Sequence, residues 1–125
     1  MDLNQVTLPA VDVGTAAAFY QRLGFRLIVD ALPRYARLEC PEGESTFSLE
    51  HAPERSAGSC PTVYFECQHL DETVGRLMAA GVQFDSGPTD QPWLWREARL
   101  RDPAGNSLCL YWAGRNRRYP PWRVG

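Results

Sequence analysis

The richest set of side chains able to do chemistry lies in the segment Gln91 to Arg101, QPWLWREARLR. In an extended chain, alternation puts Trp93, Trp95, Glu97 and Arg99 on one face and Leu94, Arg96, Ala98 and Leu100 on the other. Two indoles on one face offer flat surfaces to a planar or cationic ligand, and serve equally well as core or interface anchors. Whichever of Arg96 and Arg99 faces inward presents a planar fork that fits a carboxylate or phosphate, unless Glu97 or Asp102 takes it as an ordinary ion pair. All 13 basic residues are arginine, which removes Schiff-base and P-loop lysine chemistry and leaves guanidinium as the partner for any buried anion.

Cys40, Cys60, Cys67 and Cys109 form no CxxC pair, so they read as reduced thiols, neither a disulfide framework nor a zinc site. With 15 acidic residues the net charge is -2, and the long-range attraction that drives nucleic-acid binding is missing. No run of about 18 apolar residues is present to span a membrane. The first residues, MDLNQV, have neither the basic nor the apolar stretch of a leader, so a cytoplasmic location is expected. A chain of 125 residues, 44% hydrophobic and 22% charged, suits one domain with its own core.

The elements that must position these side chains come in a repeating order. Val6 to Val11 reads as a strand, Asp12 as a helix N-cap, Ala16 to Leu23 as a helix closed by Gly24, and Phe25 to Val29 as a second strand. Tyr35 to Cys40 and Ser45 to His51 alternate as strands three and four. Ala52 to Pro61 lacks periodicity and reads as a linker. The pattern then recurs. Thr62 to Cys67 is a strand, and Glu72 to Ala80 a helix with Val74, Leu77 and Met78 on one face, capped by Gly81. Val82 and Phe84 start a strand broken at Gly87-Pro88, Trp93 to Leu100 alternates, and Ser107 to Trp112 is the last strand. The expected fold is therefore α+β, with two βαβββ modules whose half-open curved mixed sheets pair around a cleft: module one about 3–51, linker 52–61, module two about 62–112 and a C-terminal arm 113–125.

Leu8-Pro9-Ala10-Val11-Asp12 leading into Ala18-Phe19-Tyr20-Gln21-Arg22-Leu23-Gly24-Phe25, and Asp102-Pro103-Ala104-Gly105-Asn106 followed by Leu108-Cys109-Leu110-Tyr111, resemble the vicinal oxygen chelate superfamily of glyoxalases, bleomycin-resistance proteins and extradiol dioxygenases. The resemblance implies a homodimer, and in catalytic members a divalent metal held by His, Gln or Glu from the first and last strands of each module. Those positions fall here on Gln5, Ser48, Thr62 and Cys109, of which Gln5 alone matches the pattern. A set of Gln, Ser, Thr and Cys offers a divalent ion neither carboxylate nor imidazole, so no metal cofactor is expected. The alternative is a Ni, Zn, Fe or Mn ion held by Gln5, Glu50 and His51.

Two functions stay open, and whether the protein is an enzyme with them. One is a metal-free protein holding a planar or anionic small molecule in an aromatic cleft lined by Trp93, Trp95, Tyr64 and Tyr111, with Arg96 or Arg99 as the anion partner. The other is a metal-dependent lyase, isomerase or dioxygenase. A metal-free enzyme with an Arg or Tyr electrophile and Glu97 as base ranks below both. Tyr64 and Tyr111 can offer hydroxyls above the vacated metal position or simply pack. The arm, with four arginines, Tyr119 and Trp122, reads as a docked brace, with a lid or a disordered tail as alternatives.

Overall fold

The computed structural model describes residues 1–54 and 60–125, so the central residues of the expected linker lie outside the described part. The chain runs β1(Gln5–Ala10), α1(Val13–Arg22), β2(Arg26–Ala31), β3(Tyr35–Glu39), β4(Thr46–His51), β5(Thr62–Glu66), α2(Leu70–Ala79), β6(Ser86–Asp90), β7(Arg96–Arg101), β8(Ser107–Trp112) and α3(Arg115–Arg118). Two four-stranded mixed sheets result, ordered β1-β4-β3-β2 and β5-β8-β7-β6, with β1 parallel to β4 and β5 parallel to β8. This is the glyoxalase-like α+β arrangement of two βαβββ modules with open sheets. The contacts divide the chain into two compact units, Met1–Cys60 with Asp102–Asn106, and Pro61–Arg101 with Ser107–Gly125.

In the first unit α1 starts where the Asp12 carboxylate accepts the Thr15 amide at 3.0 Å and its hydroxyl at 2.8 Å. Val13, Ala16, Ala17 and Tyr20 follow at helical spacing and are buried. Beneath them Tyr20, Phe25 and Phe47 form an aromatic cluster with centroids 4.5 to 6.0 Å apart. Gly24, at φ 101°, makes the turn out of the helix that a side chain would strain. The turn Asp102 to Asn106, whose two end residues are buried while Pro103 and Gly105 are exposed, completes this unit. Asp102 accepts the amides of Ala104 (2.9 Å) and Asn106 (2.8 Å), the Asn106 side chain (2.8 Å) and the Tyr20 hydroxyl (2.7 Å). Asn106 in turn donates to the Pro9 carbonyl at 2.9 Å.

In the second unit Leu70, Val74 and Leu77 are the buried face of α2; Met78, expected on that face, is 45% exposed because it lies beyond the arc of the stripe. Three strand expectations are corrected. Val82 and Phe84, expected to start a strand, lie in the connection from α2, and the strand begins at Ser86. The break expected at Gly87-Pro88 lies inside β6, because β6 is an edge strand that tolerates proline and absorbs a register shift between Ser86 and Thr89. Trp93 to Trp95 are not strand: Gln91 to Trp95 is the loop into β7, closed by Leu94 N–H to Gln91 O (3.0 Å) and Gln91 N–H to Trp95 O (2.8 Å), with Leu94 at φ 67°.

Candidate functional site

Register decides which side chains share the open face of each sheet. In the first unit, the pairings Gln5↔Thr46, Thr7↔Ser48, Arg37↔Ser48 and Tyr35↔Glu50 put these residues on one face. Leu8, Ala10, Ala36, Leu38, Phe47 and Leu49 form the opposite, buried face. Ser48 is 0% exposed and accepts Gln5 Nε2 at 2.7 Å, and its Oγ lies 2.7 Å from the Tyr35 hydroxyl. The Gln5 amide oxygen takes the Thr46 hydroxyl. Arg37 donates from Nε to the Tyr35 oxygen at 3.0 Å, its guanidinium 5.7 Å from the ring centre. Tyr35, Arg37 and Thr46 were not singled out from the sequence; only the alternation of strand three hinted that Tyr35 and Arg37 share a side.

In the second unit, Tyr64↔Cys109, Glu66↔Tyr111, Glu97↔Tyr111 and Arg99↔Cys109 line up on the open face. Trp95 stacks on Tyr111 with centroids 4.6 Å apart and planes 17° from parallel. Tyr64 meets both edge-on, at 5.9 Å from Trp95 and 5.7 Å from Tyr111. Tyr111 is buried whereas Tyr64 is 42% exposed, so the cluster offers its Tyr64 side to solvent. Arg99 donates to Glu97 at 2.8 Å and to the Tyr64 hydroxyl at 3.2 Å. Glu97, only 3% exposed, also accepts Trp93 Nε1 at 2.8 Å. The hydrogen bond that Arg99 donates to the Glu97 carboxylate holds the guanidinium firmly protonated against the pull of burial.

The sequence-derived candidates thus separate. Tyr64, Trp95, Arg99, Cys109 and Tyr111 come together on the second sheet, with Trp93 reaching in from its loop by way of Glu97. Thr62 stands at the start of that face and donates to Ser107 at 3.3 Å. Arg96, Trp93's expected opposite, does lie on the other face, held at 2.9 Å by both Asp71 and Asp90. Gln5 and Ser48 touch on the first sheet. Glu50 shares their face near its end, exposed; His51 points to the other side, its Nδ1 3.0 Å from the Val11 carbonyl, because consecutive strand residues alternate.

Electrostatically the two last-strand positions are neutral. Burial pushes the Cys109 thiol up to about 12, with Arg99 pulling the other way. Burial, and then the Glu66 charge, also push Tyr111 up to about 12. Among the described residues no three His, Cys, Asp or Glu side chains gather as metal ligands. The arm is tied to this unit: Glu66 accepts the Ala113 and Gly114 amides at 3.0 and 2.9 Å, Arg117 lies 3.7 Å from Glu66, and Trp95 Nε1 donates to the Asn116 carbonyl at 3.4 Å.

Comparison with known proteins agrees with this architecture. The model of the Glyoxalase/Bleomycin resistance protein/Dioxygenase superfamily matches residues 2–110. The search of curated proteins found no match. Among solved structures, a bleomycin resistance determinant encoded on the transposon Tn5 is 27% identical with a TM-score of 0.74, over 90% of this chain and 98% of that one. A bleomycin-binding protein complexed with bleomycin is 26% identical with a TM-score of 0.73, over 90% and 98%. A glyoxalase/bleomycin resistance protein/dioxygenase from Nocardioides, 24% identical with a TM-score of 0.78 over 100% and 90%, shares the fold. Register, strand order and family match together place the chain in the glyoxalase/bleomycin resistance protein/dioxygenase superfamily.

Proposed function

We propose that this protein binds a small molecule without a metal ion, holding a planar or anionic ligand against the aromatic face of its second unit. The observation that carries the reading is the Trp95–Tyr111 stack with Tyr64 edge-on and half-exposed beside Arg99. A flat ligand laid on such a surface gains aromatic contact without reorganising the protein, because the rings are already held by each other and by the Asn116 carbonyl. The likeness to a bleomycin-binding protein at 26% identity supports a binding role.

The donor chemistry argues for the metal-free form. The residues at the four positions where relatives hold a divalent ion do not fit one: Gln5 spends its amide oxygen on Thr46 and its nitrogen on Ser48, Ser48 and Thr62 are neutral hydroxyls, and Cys109 is a buried thiol kept protonated. Hard divalent ions need anionic or imidazole ligands to repay their lost hydration.

The test is metal content of the untagged protein, with melting before and after Ni, Zn, Fe(II) and Mn ions, followed by titration with bleomycin as the probe, read by tryptophan fluorescence. Less than about a tenth of a metal per chain, no melting response, and a saturable quench lost in Trp95→Ala are expected. One metal per chain with a matching rise in melting temperature returns the protein to the lyase, isomerase and dioxygenase reading.

A further inference from the structure

We propose that Tyr35 and Arg37 on the open face of the first sheet bind the carboxylate of a small organic acid. The argument begins with counting protons around Ser48. The Gln5 amide nitrogen also lies 3.3 Å from the Val6 carbonyl, which can only accept, so this edge of the amide is the donor and Ser48 accepts from it. Ser48 is fully buried, and Tyr35 is its one other side-chain partner among the described residues, so the serine proton goes to the Tyr35 oxygen. Arg37 Nε donates to the same oxygen. With both lone pairs taken, the phenol keeps its own O–H for an outside acceptor, and two incoming hydrogen bonds, one from a cation, strengthen it as a donor.

Arg37 completes the site. Its Nε is spent on Tyr35, whereas its two terminal nitrogens have no carboxylate or carbonyl partner among the described residues. Neighbouring Glu39 lies 3.8 Å from Arg26 instead. The side chain is exposed, laid along the Tyr35 ring. Three N–H and O–H groups thus open to solvent from a rigid strand, where the ring and the buried serine fix their direction. A planar group with two oxygens matches a guanidinium edge plus one hydroxyl; a neutral amide of the same shape brings one acceptor too few. Glu50, the register partner of Tyr35, is exposed at the end of this face. Its like charge limits the site to a small anion.

The inference extends the small-molecule reading but fails separately from it, because the two rest on different sheets. The experiment is a titration of the labelled protein with benzoate, benzamide and inorganic phosphate, followed by NMR at Arg37 Nε, the Tyr35 ring and the Trp95 indole. Benzoate should shift Arg37 and Tyr35 saturably below about 10 mM, the range of a single exposed charge-assisted pair, and benzamide should not. Arg37→Met should remove the response with unchanged melting, and Tyr35→Phe should weaken it about 3- to 10-fold. No shift at Arg37, an equal shift with benzamide, or tighter binding of phosphate than of benzoate would overturn the assignment. A response at Arg37 alone, with Trp95 silent to bleomycin, would leave this site standing and remove the aromatic one.

Discussion

The middle row of the first sheet is Thr7, Ser48, Arg37; the matching row of the second is Tyr64, Cys109, Arg99. Each unit sets an arginine directly across from its last-strand candidate position, and each arginine donates to a tyrosine hydroxyl. The neighbouring row separates them. Where the first unit has Tyr35 the second has Glu97, each one strand position removed from its arginine and paired with the last strand. Glu97 neutralises Arg99; Tyr35 leaves Arg37 charged and open. A repeated scaffold can therefore hold an arginine at the same position with its charge balanced in one unit and open in the other, according to the residue beside it.

A second contrast lies in the two hairpins before the last strands. The first closes with Cys40 N–H to Ser45 O at 3.1 Å and stays on the surface, while the second, Asp102 N–H to Asn106 O at 3.1 Å, belongs to the first unit and is anchored there by its buried end residues Asp102 and Asn106. Asp102→Ala should therefore have the largest effect of any single change, about 3–5 kcal/mol in urea unfolding, because it strands the Tyr20 hydroxyl and the Ala104 and Asn106 amides together. A loss below about 1 kcal/mol would mean that the two hairpins are equivalent.

Glu97→Gln tests the electrostatic half of the comparison. It should cost about 1–2 kcal/mol, kept low because Arg99 is over a third exposed, and should give Arg99 the benzoate response expected of Arg37. If Arg99 stays silent, the difference between the faces is not the carboxylate. The reciprocal change Tyr35→Glu should silence Arg37.

A smaller effect follows from the buried groups of the second face. Cys109 and Tyr111 ionise higher in the fold, each at about 12, than their ordinary 9.0 and 10.0, so folding favours their neutral forms. The native state then holds more protons than the unfolded one above pH 9, and stability present below that pH is lost as pH rises towards 12. Cys109→Ala should flatten the fall in melting temperature between pH 8 and about 10, an effect below about 1 kcal/mol. An unchanged slope would locate the alkaline loss elsewhere. The smallest readout perturbs nothing: a thiol reagent at neutral pH should modify exposed Cys60 and spare Cys109, and equal rates would show the second face to be open to solvent at its centre.

Much of this was legible along the chain. The period of Val13, Ala16, Ala17 and Tyr20, the glycines that end both helices, and the alternation of the last strands gave the modules; the register puts Gln5 and Ser48 on one face of the first sheet and Thr62 and Cys109 on one face of the second. Trp93 and Trp95 were misplaced because alternation in a short polar-aromatic run cannot tell a strand from the loop leading into it; a leucine at positive φ carries no signature of its own. Tyr35 and Arg37 went unnoticed because nothing in sequence joins them to Ser48, eleven and thirteen positions away; only antiparallel pairing brings the three together.

By itself the sequence determined most of the secondary elements and their repeated order, since these depend on local period, turn chemistry and residue identity. The tertiary structure alone decided that Tyr35 meets the buried Ser48, that Asp102 takes the Tyr20 hydroxyl and that Trp95 stacks on Tyr111, since each depends on pairing or packing between segments apart in the chain, where a shift of one residue reverses every strand side chain.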